Sequence, residues 1–251
     1  MRKTLLSFLL INVGLVVTLQ SCRGDENITE PPVIADQSFV EEFDTLANAV
    51  AKGWVITNVS DPKGTGVWRQ GGGTTAWFPP FSNKGSFAGF IGTDYTSTSA
   101  ASGIISNWLI SPLITMQNGD KISFYTRAYQ FPVFDPSGVP TGDSTDYGNR
   151  LQVLINTANE GTAVGSGNTR GSFQPALDIN HTYILSTLDP VNFSPYAFPS
   201  QWTRFVVTVS GLNQPKKGRF AFRYYIETGG SNAYGSGVAI DKVTYTSVNH
   251  K

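Results

Sequence analysis

The sequence predicts an all-β domain built from two stacked antiparallel sheets, and three observations carry that expectation. Apolar and polar residues alternate over stretch after stretch, which is the period of a half-buried strand. In residues 121–129, Ile122, Phe124 and Ala128 share one face while Lys121, Ser123 and Arg127 share the other. Clusters of Gly, Pro, Asn and Asp separate the stretches, and the 251-residue chain holds 26 Gly and 14 Pro, residues that punctuate turns rather than extend helices. Only residues 46–52 read as a short helix, so the apolar faces must be buried by strands packing on strands.

Taken in order, strands are expected over residues 39–43, 54–59, 87–91, 104–110 and 121–129. Residues 150–155 follow, with Leu151, Val153 and Ile155 on one face, and then a stretch carrying Phe205, Val207 and Val209. Phe220, Phe222, Tyr224 and Ile226 alternate with Arg219, Arg223 and Glu227, and residues 238–246 close the series. These strands fill residues 38–248, a length at which all-β domains commonly stay undivided.

Upstream, Arg2 and Lys3 precede the apolar run 5–17 and the tetrapeptide Leu19-Gln20-Ser21-Cys22. Charged, apolar and small residues in that order are those of a bacterial lipoprotein export signal, predicting cleavage of residues 1–21 and acylation of Cys22. Residues 22–37 are polar and carry Pro31 and Pro32, which reads as a flexible tether. Cys22 is the only cysteine, so the domain is expected to fold without disulfides. No later apolar run approaches the roughly 20 residues a spanning helix needs, so membrane contact is expected through the lipid anchor only. Asp25 and Glu26 resemble the acidic signal that directs lipoproteins of Bacteroidetes-type bacteria to the surface of the outer membrane. The chain is formally neutral with 14% charged residues, which gives no electrostatic footprint for nucleic acid.

Two carboxylates interrupt apolar faces. Read at period two, Asp241 falls with Ala239 and Val243, and Glu41 with Phe39 and Phe43. A buried unpaired charge is costly, so each needs a partner: Arg127, Arg150 or Arg223, or a hard cation such as calcium. First and last strands lie side by side in many jelly-roll sandwiches, which would gather Glu41, Asp44 and Asp241 as metal ligands.

Glu41-Glu42-Phe43-Asp44 followed by Gly53-Trp54, then Asn107-Trp108-Leu109-Ile110-Ser111-Pro112-Leu113-Ile114, Gly218-Arg219-Phe220-Ala221-Phe222-Arg223-Tyr224 and Ile240-Asp241-Lys242-Val243, resemble the choice-of-anchor J family. That family is related to the cleaved-adhesin domains of gingipain-type bacterial proteins. The resemblance spans nearly all of residues 38–248, and its tryptophan-to-proline block is the most specific part. It implies a jelly-roll β-sandwich, secreted or surface-held, with structural calcium and no catalytic residues. Where those relatives often carry two consecutive acids before the final valine, this chain has Asp241-Lys242, one cation ligand fewer.

Three segments offer a recognition surface. Gly71-Gly72-Gly73 leads into Trp77-Phe78-Pro79-Pro80-Phe81, either an exposed aromatic patch that stacks on sugar rings or a loop folded over the sandwich as a satellite core. A long insertion runs from Tyr129 through Phe131 and Phe134 to Tyr147. Residues 229–235, with Tyr234, form a loop at one sandwich end. Trp77, Phe78, Phe81, Tyr129, Phe134 and Tyr234 are therefore the candidate ligand-binding residues.

Catalysis has few residues to draw on. The chain holds only His181 and His250, and the glycine-rich stretch 161–171 lacks the lysine of a phosphate loop and reads as flexible. Glu41, Glu42 and Asp44 are neighbours on one strand, whose side chains alternate faces, whereas glycoside cleavage needs two carboxyls facing one cleft roughly 5–9.5 Å apart. The sequence thus points to a non-enzymatic binding or adhesion module for a glycan or an extracellular or host protein. The alternatives are a structural envelope or assembly component and, with the fewest supporting residues, a hydrolase.

Overall fold

Alternation translates into two antiparallel six-stranded sheets whose apolar faces meet. In the computed structural model residues 34–82, 87–185 and 196–248 are described; the leader, Cys22 and most of the 22–37 segment lie outside the described residues. The elements are β1 (Phe39–Glu41), α1 (Leu46–Ala51), β2 (Val55–Asn58), β3 (Arg69–Gln70), β4 (Ile91–Asp94), β5 (Gly103–Ile110), β6 (Ile114–Met116), β7 (Lys121–Ala128), β8 (Phe131–Phe134), β9 (Pro140–Thr145), β10 (Leu151–Asn156), β11 (Gln174–Ile179), β12 (Thr203–Thr208), β13 (Lys216–Gly229) and β14 (Gly237–Thr246). The first sheet runs β12-β7-β14-β4-β3 with β1 also on β14, and the second β11-β10-β13-β5-β2 with β6 also on β13. The architecture is that of a jelly-roll sandwich, with the first strand antiparallel to the last: Phe39 opposes Tyr245 and Glu41 opposes Val243. Hairpin β8–β9 stands apart as a two-stranded ribbon.

Inward-pointing residues fill the space between the sheets. Ile122 and Phe124 of β7, Phe220 and Phe222 of β13, and Ile240 and Tyr245 of β14 are fully buried in one cluster. The Phe124 and Phe222 rings meet across the layers at 4.8 Å and 67°. Each such side chain stabilises the fold by about 1.5–3 kcal/mol relative to exposure. Both outer faces are covered as well. Trp108, Ile110, Leu154 and Ala221, on the far side of the second sheet, form a second cluster with Val164 and Phe173.

The cover over the second sheet corrects one expectation. Stretch 161–171 does not hang free: buried Arg223 donates from Nη2 to the Gly167 carbonyl (2.8 Å) and the Thr169 carbonyl (3.1 Å), tying it to the sheet. The guanidinium also lies over Tyr225 at 3.7 Å, and burial pushes its pKa down to about 10. Arg223 thus serves as a clamp on backbone, with no carboxylate among these contacts.

A second correction concerns phase. Lys242 has φ 47, and the pairing of β14 with β7 slips between Asp241 and Thr244. A bulge adds one residue to a strand and reverses its alternation. Val238 and Ile240 face inward before the slip, Val243 and Tyr245 after it. Asp241 therefore shares the outer face with Ala239 and not the face of Val243.

Strand ends differ where proline and glycine intervene. The stretch expected over 87–91 is instead a turn leading to β4, with Phe87 64% exposed. Strands β8, β9 and β11 escaped alternation because each contains a proline, Pro132, Pro140 and Pro175, tolerated where no ladder donor is required.

Candidate binding site

At one end of the sandwich the chain builds a cleft from the two later segments the sequence singled out. Its floor is organised by Asn149, which is fully buried. The Asn149 Oδ1 accepts from Tyr224 OH (2.8 Å), Gly237 N (3.0 Å) and Ser236 N (3.2 Å). Its Nδ2 donates to Ser236 Oγ (2.8 Å) and to the Asp146 carbonyl (3.0 Å). One amide thereby joins the turn before β10 to the start of β14 and to β13. Burial raises the Tyr224 hydroxyl well above its usual pKa, so it stays a donor. Gly235, at φ 98, passes so close that a Cβ would sit 2.4 Å from the Tyr224 hydroxyl; no other residue fits there.

The walls stand on this floor. On one side rises β8–β9, its tip closed by Asp135 Oδ1, which accepts from Ser137 N (2.8 Å) and Val139 N (2.9 Å). On the other side lies the 229–235 loop, held by Asn232 N to the Ala101 carbonyl (2.9 Å) and Gly235 N to the Tyr147 carbonyl (2.8 Å). Between them opens a cavity of about 460 Å³, lined by Tyr95, Phe131, Pro132, Phe134, Tyr147, Gly230, Ser231, Asn232, Ala233 and Gly235. Phe134 is 56% exposed and Tyr147 43%, so both present ring surface to the cavity. No Asp, Glu, Lys, Arg or His lines it.

The six sequence candidates separate into three groups. Phe134 lines the cavity, and Tyr234 lines a depression of about 360 Å³ beside it, its ring stacked on Tyr183 at 4.9 Å. Tyr129 and Trp77 form a second row: Trp77 packs on Tyr129 (4.9 Å), and Tyr129 packs on Phe131 (4.8 Å), which lines the cleft. Phe78 and Phe81 lie elsewhere, folded over the outer face of the first sheet. Phe78 stacks on Phe90 (4.9 Å), meets Trp202 edge-on (5.4 Å) and carries the Arg127 guanidinium 3.9 Å above its ring. Phe81 stacks on Tyr125 at 3.5 Å. Trp202 closes the cover by donating to the Pro79 carbonyl (3.0 Å). Gly72 permits it, for a Cβ there would lie 2.3 Å from the Trp77 ring. Trp77 and Phe78 thus belong to the satellite core of the two readings, with Phe81 37% exposed at its edge.

Tyr95 was missed. It opens a 3-10 turn, Tyr95–Ser97, that Asp94 caps by accepting from Thr96 N (3.0 Å). Asp94 also pairs with Arg69. The Asp-x-Thr spacing of such a cap was the available signal.

The carboxylate trio does not converge. Glu41 is buried and ion-paired with Lys52 (3.0 Å), and it accepts from Phe43 N (3.2 Å). Asp44 is half-buried in the turn between β1 and α1. Asp241 lies on the opposite face of the sheet under the 77–82 cover, accepting from Ser82 N (2.9 Å). Burial pushes the Asp241 carboxyl up to about 7, with the Phe81, Ser82 and Lys242 amides opposing and nearby Glu42 adding to the rise. Among the described residues no three Asp, Glu, His or Cys side chains gather as a metal-binding group. Glu41, Asp44 and Asp241 therefore do not fit a calcium ion held jointly. The expected arginines are engaged otherwise, Arg150 with Asp178 (2.6 Å). His181 is exposed and lies outside the cleft lining.

Among solved structures the chain is similar to the K3 cleaved adhesin domain of Lys-gingipain from Porphyromonas gingivalis W83, at 15% identity and TM-score 0.47, covering 85% of this chain and 100% of that one. The K1 domain of the same protein gives 17% identity and TM-score 0.49, covering 84% and 99%. A family 29 carbohydrate-binding module, CBM29-2, gives 10% identity and TM-score 0.37, covering 85% and 94%. At such identities the likeness concerns the path of the chain alone. No protein-family model matches the chain and no curated protein matches it, so the choice-of-anchor J likeness remains a resemblance of sequence motifs.

Proposed function

We propose that the chain is a non-catalytic surface lipoprotein of the choice-of-anchor J type that binds uncharged carbohydrate in the cleft between β8–β9 and the 229–235 loop. One observation carries the reading: exposed aromatic rings and Ser231 and Asn232 line a preformed cavity without a single charged side chain. Ring faces pack on the C–H surface of a sugar, and hydroxyl and amide groups answer its hydroxyls. An anionic glycan would lose its hydration there with no cation to replace it. Cleavage is disfavoured on the same ground, because glycoside hydrolysis needs a pair of carboxyls facing the bond. Asp94, the acid adjoining Tyr95, is committed to Arg69 and its cap.

Neutral polysaccharides in an affinity gel should retard the full chain, and the double variant Phe134→Ala/Tyr147→Ala should migrate freely. Retention unchanged in that variant, or no retention on any glycan alongside capture by a protein ligand, would refute this assignment. The outer-membrane placement is supported by the leader and Cys22. Replacing Cys22 by alanine should release the protein from the outer-membrane fraction, and an unchanged distribution would remove the anchor.

A further inference from the structure

The cavity does not stand alone. A depression of about 200 Å³ adjoins it, sharing Tyr95 and Ser231. The depression of about 360 Å³ adjoins it as well, sharing Tyr147, Asn232 and Ala233. Exposed Ser99 lines the first and exposed Leu185 the second, and no charged residue lines any of the three. Together the three depressions give, among the described residues, a lining longer than the central cavity alone provides.

Resting on the carbohydrate reading above, we infer that these adjoining depressions together hold several consecutive units of a linear, uncharged polysaccharide, which reaches Ser99 in one flanking depression and Leu185 in the other. The central rings then serve as the main platform, and the flanking depressions add contacts that a short fragment does not reach.

Titration of the full chain with linear gluco-, manno- and xylo-oligosaccharides of two to six units tests this. In the series that binds, the longest member should bind at least about tenfold more tightly than the shortest, as added subsites are filled. Ser99→Arg and Leu185→Arg, both at exposed positions, should each erase part of that gain while leaving the two-unit affinity and the circular-dichroism spectrum unchanged. Equal affinity across lengths, or length dependence that neither variant alters, overturns the extended site and leaves the carbohydrate reading intact. Binding of no member of any series overturns the carbohydrate reading, and the extended site with it.

Discussion

Phe78 and Phe134 are the same residue in two surroundings. Phe78 is braced by Phe90, Trp202 and the Arg127 guanidinium over the outer face of the first sheet. Phe134 stands on a two-stranded ribbon with more than half its surface in water. Both regions are rich in rings, so aromatic content does not distinguish a binding face from a cover. What distinguishes them is whether the rings already have partners: a braced ring contributes stability, while an unbraced one keeps its face for a ligand.

Substitutions should separate the two roles, beginning with the residue that serves the cleft from beneath. Asn149→Leu leaves the buried Tyr224 hydroxyl and the Ser236 and Gly237 amides without their acceptor and should cost roughly 3 kcal/mol or more, read from the urea midpoint, with carbohydrate binding lost as well. Phe78→Ala should cost about 2–4 kcal/mol in the same assay and leave the affinity of the remaining folded protein unchanged. A fall in affinity with no fall in stability would reverse the assignment of the cover.

Asp241, beneath that cover, makes the stability of this region depend on pH. In the folded chain its carboxyl holds a proton up to about 7, against 3.8 for a free side chain. Between those values the folded state binds more protons than the unfolded one, so the contribution of this group to stability is fully present below about pH 4 and is lost as pH rises to 7, by of order 2–4 kcal/mol. Asp241→Asn should flatten this profile. Urea midpoints at several pH values, with and without EDTA, check it: a wild-type profile that is already flat contradicts it, and destabilisation by EDTA would place a cation against Asp241. The smallest effect is expected at the cleft, where Phe134→Ala should change stability by less than about 0.5 kcal/mol yet weaken carbohydrate binding about tenfold.

Much of the sandwich was legible because alternation follows directly from burial on one face, as in β7, β10 and β13. The bulge at Lys242 was not, since the slip arises from pairing with β7 and leaves the local pattern intact, and it moved Asp241 to the other face. Proline hid β8, β9 and β11 for a local reason. Phe134 and Tyr234 stood out because they sit in segments too long or too glycine-rich to be strands. Sequence did not separate Trp77 and Phe78 from them, because exposure depends on Trp202, Phe90 and Tyr129, residues remote along the chain. Glu41 found Lys52 just past the end of the following helix, a pairing that strand-by-strand reading does not consider.

The Gln37 amide finds its acceptor on Ser247, 210 positions later, and β1 seals against the final strand. Contacts of such separation form late. In a polypeptide emerging from its ribosome β1 lacks the strand it pairs with until β14, the last strand, has been delivered, so the first sheet is completed only at the end of synthesis.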